Sequence, residues 1–188
     1  MGKKRDYENF SAERLKSAAA TLFYRRGYSV GLQEILDAAG IYKATFYRYY
    51  ESKEDLAVEY VRLKRSELIG VLQSLMQKRP EPEGFFLTWA KLLARGAESG
   101  DFYGCPFSNL FAQTLQESPR LRGELRGAVE EIIAVLSGFL GNKRMAQTAF
   151  TCYEGTMTMY NLTGDKSVFA HLASDLRLLR SSHTEAQM

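Results

Sequence analysis

The chain has 188 residues, 45% of them hydrophobic, with 25 Lys/Arg against 22 Asp/Glu and a formal net charge of +3, a balance that supports a buried core and excludes a disordered chain. No apolar run approaches the roughly twenty residues of a membrane span, and the opening MGKKRDYENF is charged and lacks the apolar stretch of a signal peptide, so no membrane association and a cytoplasmic location are expected. Two cysteines, Cys105 and Cys152, and two histidines, His171 and His183, are too few and too scattered for a disulfide framework or a familiar zinc site, and no cofactor is expected.

Glycine and proline divide the chain into helix-sized pieces. From about Tyr7 to Arg26 the residues Phe10, Leu15, Ala18, Ala19, Leu22 and Phe23 recur every three or four positions, which predicts an amphipathic helix that Gly27 stops. GLQEILDAAG follows, with Leu32, Ile35, Leu36 and Ala39 on one face and Gly40 closing it. YKATFYRYY then predicts another helix of about two turns, bounded by Ser52. Ser52 and, three residues on, Asp55 make a capping box with Asp in place of Glu, and open a long helix over Lys53 to Lys78 that RPEPEG ends. Further helices are predicted over 84–98, 107–116, 119–140, 143–163 and 166–181, separated by turn-forming ESGDFYGCP, ESP, GN and TGD. The expected fold class is all-α, with about nine helices and no repeat.

Five aromatic residues fall in the nine positions Tyr42 to Tyr50, with Lys43 and Arg48 among them and Lys53 just beyond. Two short helices joined by a tight glycine turn, the second rich in Lys, Arg and Tyr, suit a helix-turn-helix reader of the DNA major groove. Phe46 and Tyr50, spaced i,i+4, are expected to pack inwards towards Ile35 and Ala39, which leaves Tyr42, Lys43, Thr45, Tyr47, Arg48 and Tyr49 for the outside. The charge distribution agrees. Residues 1–66 carry 13 basic against 9 acidic side chains, whereas residues 67–188 carry 12 against 13, so the basic excess lies where a polyanion would be met. The alternative is an ordinary packing segment with tyrosines at a protein interface.

The stretch Leu15 to Leu56, LKSAAATLFYRRGYSV…EILDAAGIYKATFYRYYESKEDL, resembles the DNA-binding domain of the TetR/AcrR family of transcriptional regulators. That motif runs alanine-rich helix, R-G-[FY], I-x-x-x-A-G-[VI], L-Y-x-[HY]-F and S-K-E-x-L. The resemblance implies a helix-turn-helix domain over 1–52 and a helical effector-binding and dimerisation domain over 53–188. It puts Lys43 and Ala44 at positions that approach base edges, Tyr47, Tyr49 and Lys53 at positions that grip phosphate, and Tyr42 and Arg48 at variable contact positions. Two departures stand out. Gly31 occupies the place of the usual Thr or Ser cap, so that phosphate contact is missing or is made by the Gly31 backbone N–H, and Ala44 replaces a frequent Gly. Gln33 is a further candidate for adenine readout.

In the later helices, Ala146, Ala149, Gly155 and Thr156 with Phe150, Met157 and Tyr160, and Phe169, Leu172, Leu176 and Leu179, are expected to form a four-helix seam between two copies. The middle helices are aromatic. Trp89, Phe102, Cys105, Phe107, Phe111, Tyr153 and Met157 are candidates to line a pocket for a small-molecule effector, the alternative for each being plain core. YGCPFSNL, 103–110, resembles the G-C-x-x-x-N-L segment of the family branch that includes the repressor of N-ethylmaleimide reductase. Independently, Pro106 suits a first helical position, which makes Cys105 a helix cap where a thiolate is favoured and open to modification; a small buried hydrophobe is the competing reading. Cys152 reads as packing.

The expected function is therefore a homodimeric, ligand-responsive repressor that binds a short palindromic double-stranded DNA operator and is released by a small molecule or by modification of Cys105. A similar DNA-binding protein without an effector, serving an architectural or partner-recruiting role, is the alternative. An enzyme is not expected, since neither His171 nor His183 offers Cys105 a recognisable catalytic context.

Overall fold

The computed structural model describes the backbone of residues 2–114 and 118–185 and the side chains of residues 10–114 and 118–178. Among the described residues there is no strand. The order is α1 (Gly2–Arg26), a 3-10 turn (Gly27–Ser29), α2 (Leu32–Ala39), α3 (Lys43–Phe46), α4 (Lys53–Lys78), α5 (Pro82–Glu98), α6 (Pro106–Phe111), α7 (Pro119–Leu140), α8 (Lys143–Thr163) and α9 (Val168–Glu185). The helix expected over 107–116 is shorter, and the last part of that range lies outside the described residues, as do the side chains of Leu179 and His183. No helix among the described residues is long and apolar enough to cross a membrane.

Two compact units form, Met1–Lys64 with Pro106–Ala128, and Arg65–Cys105 with Val129–Met188. Packing thus groups part of the later sequence with the first three helices, and α4 and α7 each contribute residues to both units. In the first unit Leu15, Ala19 and Phe23 of α1, Ile35, Leu36 and Ala39 of α2, and Leu56, Ala57 and Val61 of α4 are buried. These are the faces that the three- and four-residue spacing marks out, except that Phe10, expected on the α1 face, is 60% exposed. The capping box at α4 forms as expected: Asp55 Oδ2 accepts from the Ser52 and Glu51 N–H groups at 2.9 and 3.1 Å, and the Asp55 N–H reaches Ser52 Oγ at 3.4 Å.

The 3-10 turn between α1 and α2 is held from two sides. Lys53 Nζ donates to the carbonyls of Tyr28 and Val30 at 2.8 and 3.1 Å and lies 4.0 Å from the Tyr28 ring centroid. In addition, Gln113 Oε1 accepts from the Ser29 N–H at 2.7 Å. Gly27 is required here for two reasons. Its φ is +64°, and a Cβ would stand 2.6 to 2.7 Å from the Gln113 amide.

In the second unit α9 packs against α5 and α8. Asn142 caps α8, its Oδ1 accepting from the Met145 N–H at 2.9 Å, and Gly164 ends the helix at φ +68°. The expected copy-to-copy seam needs correction. Ala146, Ala149, Phe150, Met157, Phe169, Leu172 and Leu176 are all buried within the chain itself, because α9 covers that face of α8. The outward stripe is instead Thr151, Gly155, Met159 and Leu162 on α8, with Ala170, Ser174 and Leu178 on α9.

Gly27→Ala is expected to lower stability by about 1–3 kcal/mol, through strain at positive φ and displacement of the Gln113 amide. Gly123→Ala, in the exposed interior of α7 with nothing within 4 Å of the new methyl, should raise it by up to about 1 kcal/mol. Urea unfolding of the two variants checks both signs.

Candidate nucleic-acid interface

The helix expected over 42–50 is one turn long. Only Lys43–Phe46 is α-helical. Residues 47–50 continue as tight turns, with the Arg48 N–H donating to the Thr45 carbonyl at 3.2 Å and the Tyr49 N–H to the Phe46 carbonyl at 2.9 Å. Thr, Phe and Tyr are weak helix formers, and nothing in the run compensates locally. What holds the segment is its inner side. Phe46 is 0% exposed and Tyr50 7%, their rings lie 5.6 Å apart at 28°, and the Tyr50 hydroxyl donates to Glu59 Oε2 on α4 at 2.6 Å. Burial, and then the Glu59 carboxylate, push the Tyr50 phenol far above its ordinary range. It therefore remains a neutral donor.

The outer side carries the chemistry. Tyr42 is 86% exposed and Tyr47 53%, and Lys43, Ala44 and Arg48 are exposed with them, while Thr45 is half-buried. Within seven residues this offers two phenol groups, an ammonium and a guanidinium. All are phosphate-binding groups with few torsions to freeze in the tyrosines. Tyr49 differs from its expectation as an outward residue, since its hydroxyl is shielded from solvent and has no hydrogen-bond partner among the described residues. Tyr49 follows the buried Phe46 by three residues, a spacing that puts it on the inner side.

Three further residues acquire definite local roles. The Lys53 ammonium is engaged with the turn carbonyls described above, so it acts as a strut beneath α2. Gln33 Nε2 donates to Asp37 Oδ1 at 2.8 Å, one turn along α2. The Gly31 N–H, expected as a substitute phosphate contact, donates to Glu34 Oε1 at 3.0 Å. That is the half of a capping box available to a glycine. This bond, then the Arg26 guanidinium, holds the Glu34 carboxyl below its ordinary value.

Residues outside the motif complete the unit, and sequence spacing did not mark them. Glu54 Oε1 accepts from the Leu121 N–H at 3.1 Å, Asp55 pairs with Arg120, and Arg62 grips Glu124 through two bonds of 3.0 Å each. These join α4 to the first turns of α7. No local pattern could have identified them, because the partners are 62 to 67 residues apart. At Asp55 desolvation acts upwards, but the bonds from Arg120 and Ser52 outweigh it and the carboxyl sits below its ordinary value.

The candidate effector residues are divided between the two units. Phe107 is buried and Phe111 41% exposed in the first unit. In the second, Trp89 and Tyr153 stack at 5.2 Å and 16°, with Met157 buried one α8 turn beyond. Phe102 meets Tyr160 and Phe169 edge-on at 5.6 and 6.1 Å. Cys105 immediately precedes Pro106, the first residue of α6, as expected of a cap, but its side chain is 0% exposed. Neither cysteine is in a disulfide. Cys152 is half-buried, and burial followed by Asp175 raises its thiol above the ordinary range. Among the described residues no group of three or more His, Cys, Asp or Glu could hold a metal.

Glu34 and Asp55 both have lowered pKa values in the folded chain, so their contribution to stability is fully present above about pH 5 and is lost as pH falls through the carboxylate range. Urea midpoints are expected to stay level from pH 7 to about 5 and then fall, and the fall should be shallower in Glu34→Gln/Asp55→Asn. An equally steep fall in that double variant would assign the acid sensitivity elsewhere.

Comparison with known proteins places these features. Residues 15–60 match the family of bacterial regulatory proteins described as the tetR family. A relative from Lactococcus lactis subsp. lactis, described as an uncharacterized HTH-type transcriptional regulator in the lacX 3' region, is 27% identical over 184 residues, covering 90% of this chain and 91% of its own. The HTH-type transcriptional repressor NemR of Escherichia coli strain K12 is 26% identical over 150 residues, 78% of this chain and 75% of its own. The crystal structure of a TetR-family transcriptional regulator from Streptomyces coelicolor shares the fold, with a TM-score of 0.82 at 20% identity over 92% of this chain and 96% of that one.

Proposed function

We propose that this chain is a DNA-binding transcriptional regulator of the TetR family and not an enzyme, and that it is a homodimeric repressor of a short palindromic operator, released by a small-molecule effector. The observation that carries the reading is the one-turn helix whose inner side is locked by Phe46 and Tyr50 and whose outer side presents Tyr42, Lys43, Ala44, Tyr47 and Arg48. Lys43 and Ala44 approach base edges. Tyr42, Tyr47 and Arg48 bind phosphate oxygens and set the register.

Thr45 and Gln33 lie beside this face as secondary contacts, Gln33 through the part of its amide not bonded to Asp37. Lys53 serves chiefly by fixing the turn before α2, and Tyr49 contributes only if its covered hydroxyl swings out. A one-turn helix reads few bases, so two copies are required, and a symmetric pair selects a near-palindrome. The outward stripe of α8 and α9, which includes Met159, Leu162 at 76% and Leu178 at 66% exposure, supplies the apolar face for that pairing. Repression is favoured over activation by the likeness to the Escherichia coli repressor NemR. The effector acts on the aromatic core around Trp89, Tyr153 and Met157. Modification of Cys105 is the weaker route to release, because its buried thiol meets a reagent only after the surrounding chain opens.

Release follows from linkage. An effector that binds one conformation of the second unit better than the other shifts the dimer towards that state, and operator affinity changes by the same coupling factor.

Titration of a labelled duplex across a salt series tests the interface without knowledge of the operator. Arg48→Ala, which removes one phosphate contact from each of the two copies, is expected to reduce the slope of log affinity against log salt by about 2 and to leave thermal stability within about 1 kcal/mol, since Arg48 is exposed. An unchanged slope and affinity would remove Arg48 and its face from the interface.

A further inference from the structure

One polar atom in the aromatic core of the second unit is not accounted for by packing. Trp89, on α5, is 1% exposed, and its ring nitrogen Nε1 is shielded from solvent without a hydrogen-bond partner among the described residues. An indole N–H donates and cannot accept, so no change of tautomer relieves it. Buried donors are nearly always satisfied, and a persistent exception calls for a physical reason. The position does not demand an indole for bulk alone. Phe85, Phe86, Phe139 and Phe150 fill the same core with rings that carry no donor.

The surroundings define what could meet this N–H. Tyr153 stacks on Trp89 at 5.2 Å and 16°, Phe85 lies at 5.8 Å, and Phe139 and Phe150 extend the two rings at 4.9 and 5.5 Å from Phe85 and Tyr153. A buried water needs about two to four polar partners, and of these neighbouring rings only Tyr153 carries a polar atom. An ion would lose its hydration among rings that carry no charge to replace it. A flat ring, by contrast, finds aromatic faces to stack on, and the flexible Met157 side chain one turn along α8 can give way to it.

Resting on the reading of the second unit as an effector domain, we propose that Trp89 Nε1–H anchors the effector, and that the effector is an uncharged, largely apolar ring compound bearing a hydrogen-bond acceptor such as a carbonyl oxygen. The stacking rings supply affinity. The single donor supplies orientation and discriminates the acceptor-bearing compound from its hydrocarbon analogue.

Acetophenone and ethylbenzene test this directly, being alike in size and differing in the carbonyl. Trp89 is the only tryptophan of the chain, so its emission reports on the site in the unmodified protein, and calorimetry supplies affinities that compare variants. The wild-type chain is expected to bind acetophenone saturably with a change in tryptophan emission. In Trp89→Phe, which keeps a ring and removes the donor, the ratio of acetophenone to ethylbenzene affinity should fall about tenfold, the worth of one neutral hydrogen bond. An unchanged ratio, or no binding of either compound to the wild-type chain, overturns the inference. Should Trp89→Phe fail to fold, the wild-type emission decides: a saturable response to acetophenone with none to ethylbenzene supports the donor, and equal responses reject it. Duplex binding by the same preparation separates the two readings. A chain that prefers acetophenone but binds no DNA keeps this site and loses the regulator, and one that binds DNA but neither compound does the reverse.

Discussion

A four-residue helix cannot hold its own shape in water, because nucleating a first turn costs more than its few hydrogen bonds return. The face proposed to meet DNA depends on this constraint. Lys43–Phe46 persists because Phe46 is wholly buried, Tyr50 closes over it, and the Tyr50 hydroxyl is bonded to Glu59 of α4. The same constraint sorts the aromatic cluster. Phe46 and Tyr50 anchor the segment, which frees Tyr42 and Tyr47 to remain exposed. A stiff support for an exposed polar surface is what positional recognition requires.

The support extends well beyond the first three helices. Gln113 holds the turn that leads into α2, and Arg120, Glu124 and the Leu121 N–H hold the first turns of α4. The unit that presents Tyr42 to Arg48 is thus assembled from two separate stretches of chain, and α4 and α7 continue from it without a break into residues of the other unit. The exposed members of these ion pairs contribute little individually. Their importance is geometric, since each fixes one helix end against another.

Periodicity and punctuation carried most of the fold. The buried faces of α1, α2 and α4, the Ser52/Asp55 cap and the glycine stops at Gly27, Gly40 and Gly164 all follow from local chemistry, and the helical class follows from them. Local rules could not supply which face of an amphipathic helix is covered by the same chain. Met157, Phe169 and Leu176 have the spacing of a seam between copies, yet α9 closes over α8 and buries them internally. Similarly, Lys53 has the charge of a phosphate contact, and only the path of the 3-10 turn shows two carbonyls beneath it. The grouping of the candidate effector residues was also hidden, because apolar composition alone does not separate the Trp89–Tyr153 stack from Phe107 and Phe111.

The central claim is that the exposed face of residues 42–48 reads DNA sequence as a symmetric pair. Selection of bound duplexes from a random library at fixed, moderate salt tests it most directly. Enrichment of a near-palindrome with half-site centres about one helical turn apart is the result predicted, and the enrichment should disappear with Lys43→Ala. Binding without enrichment of any sequence, or enrichment that survives that substitution unchanged, would contradict it.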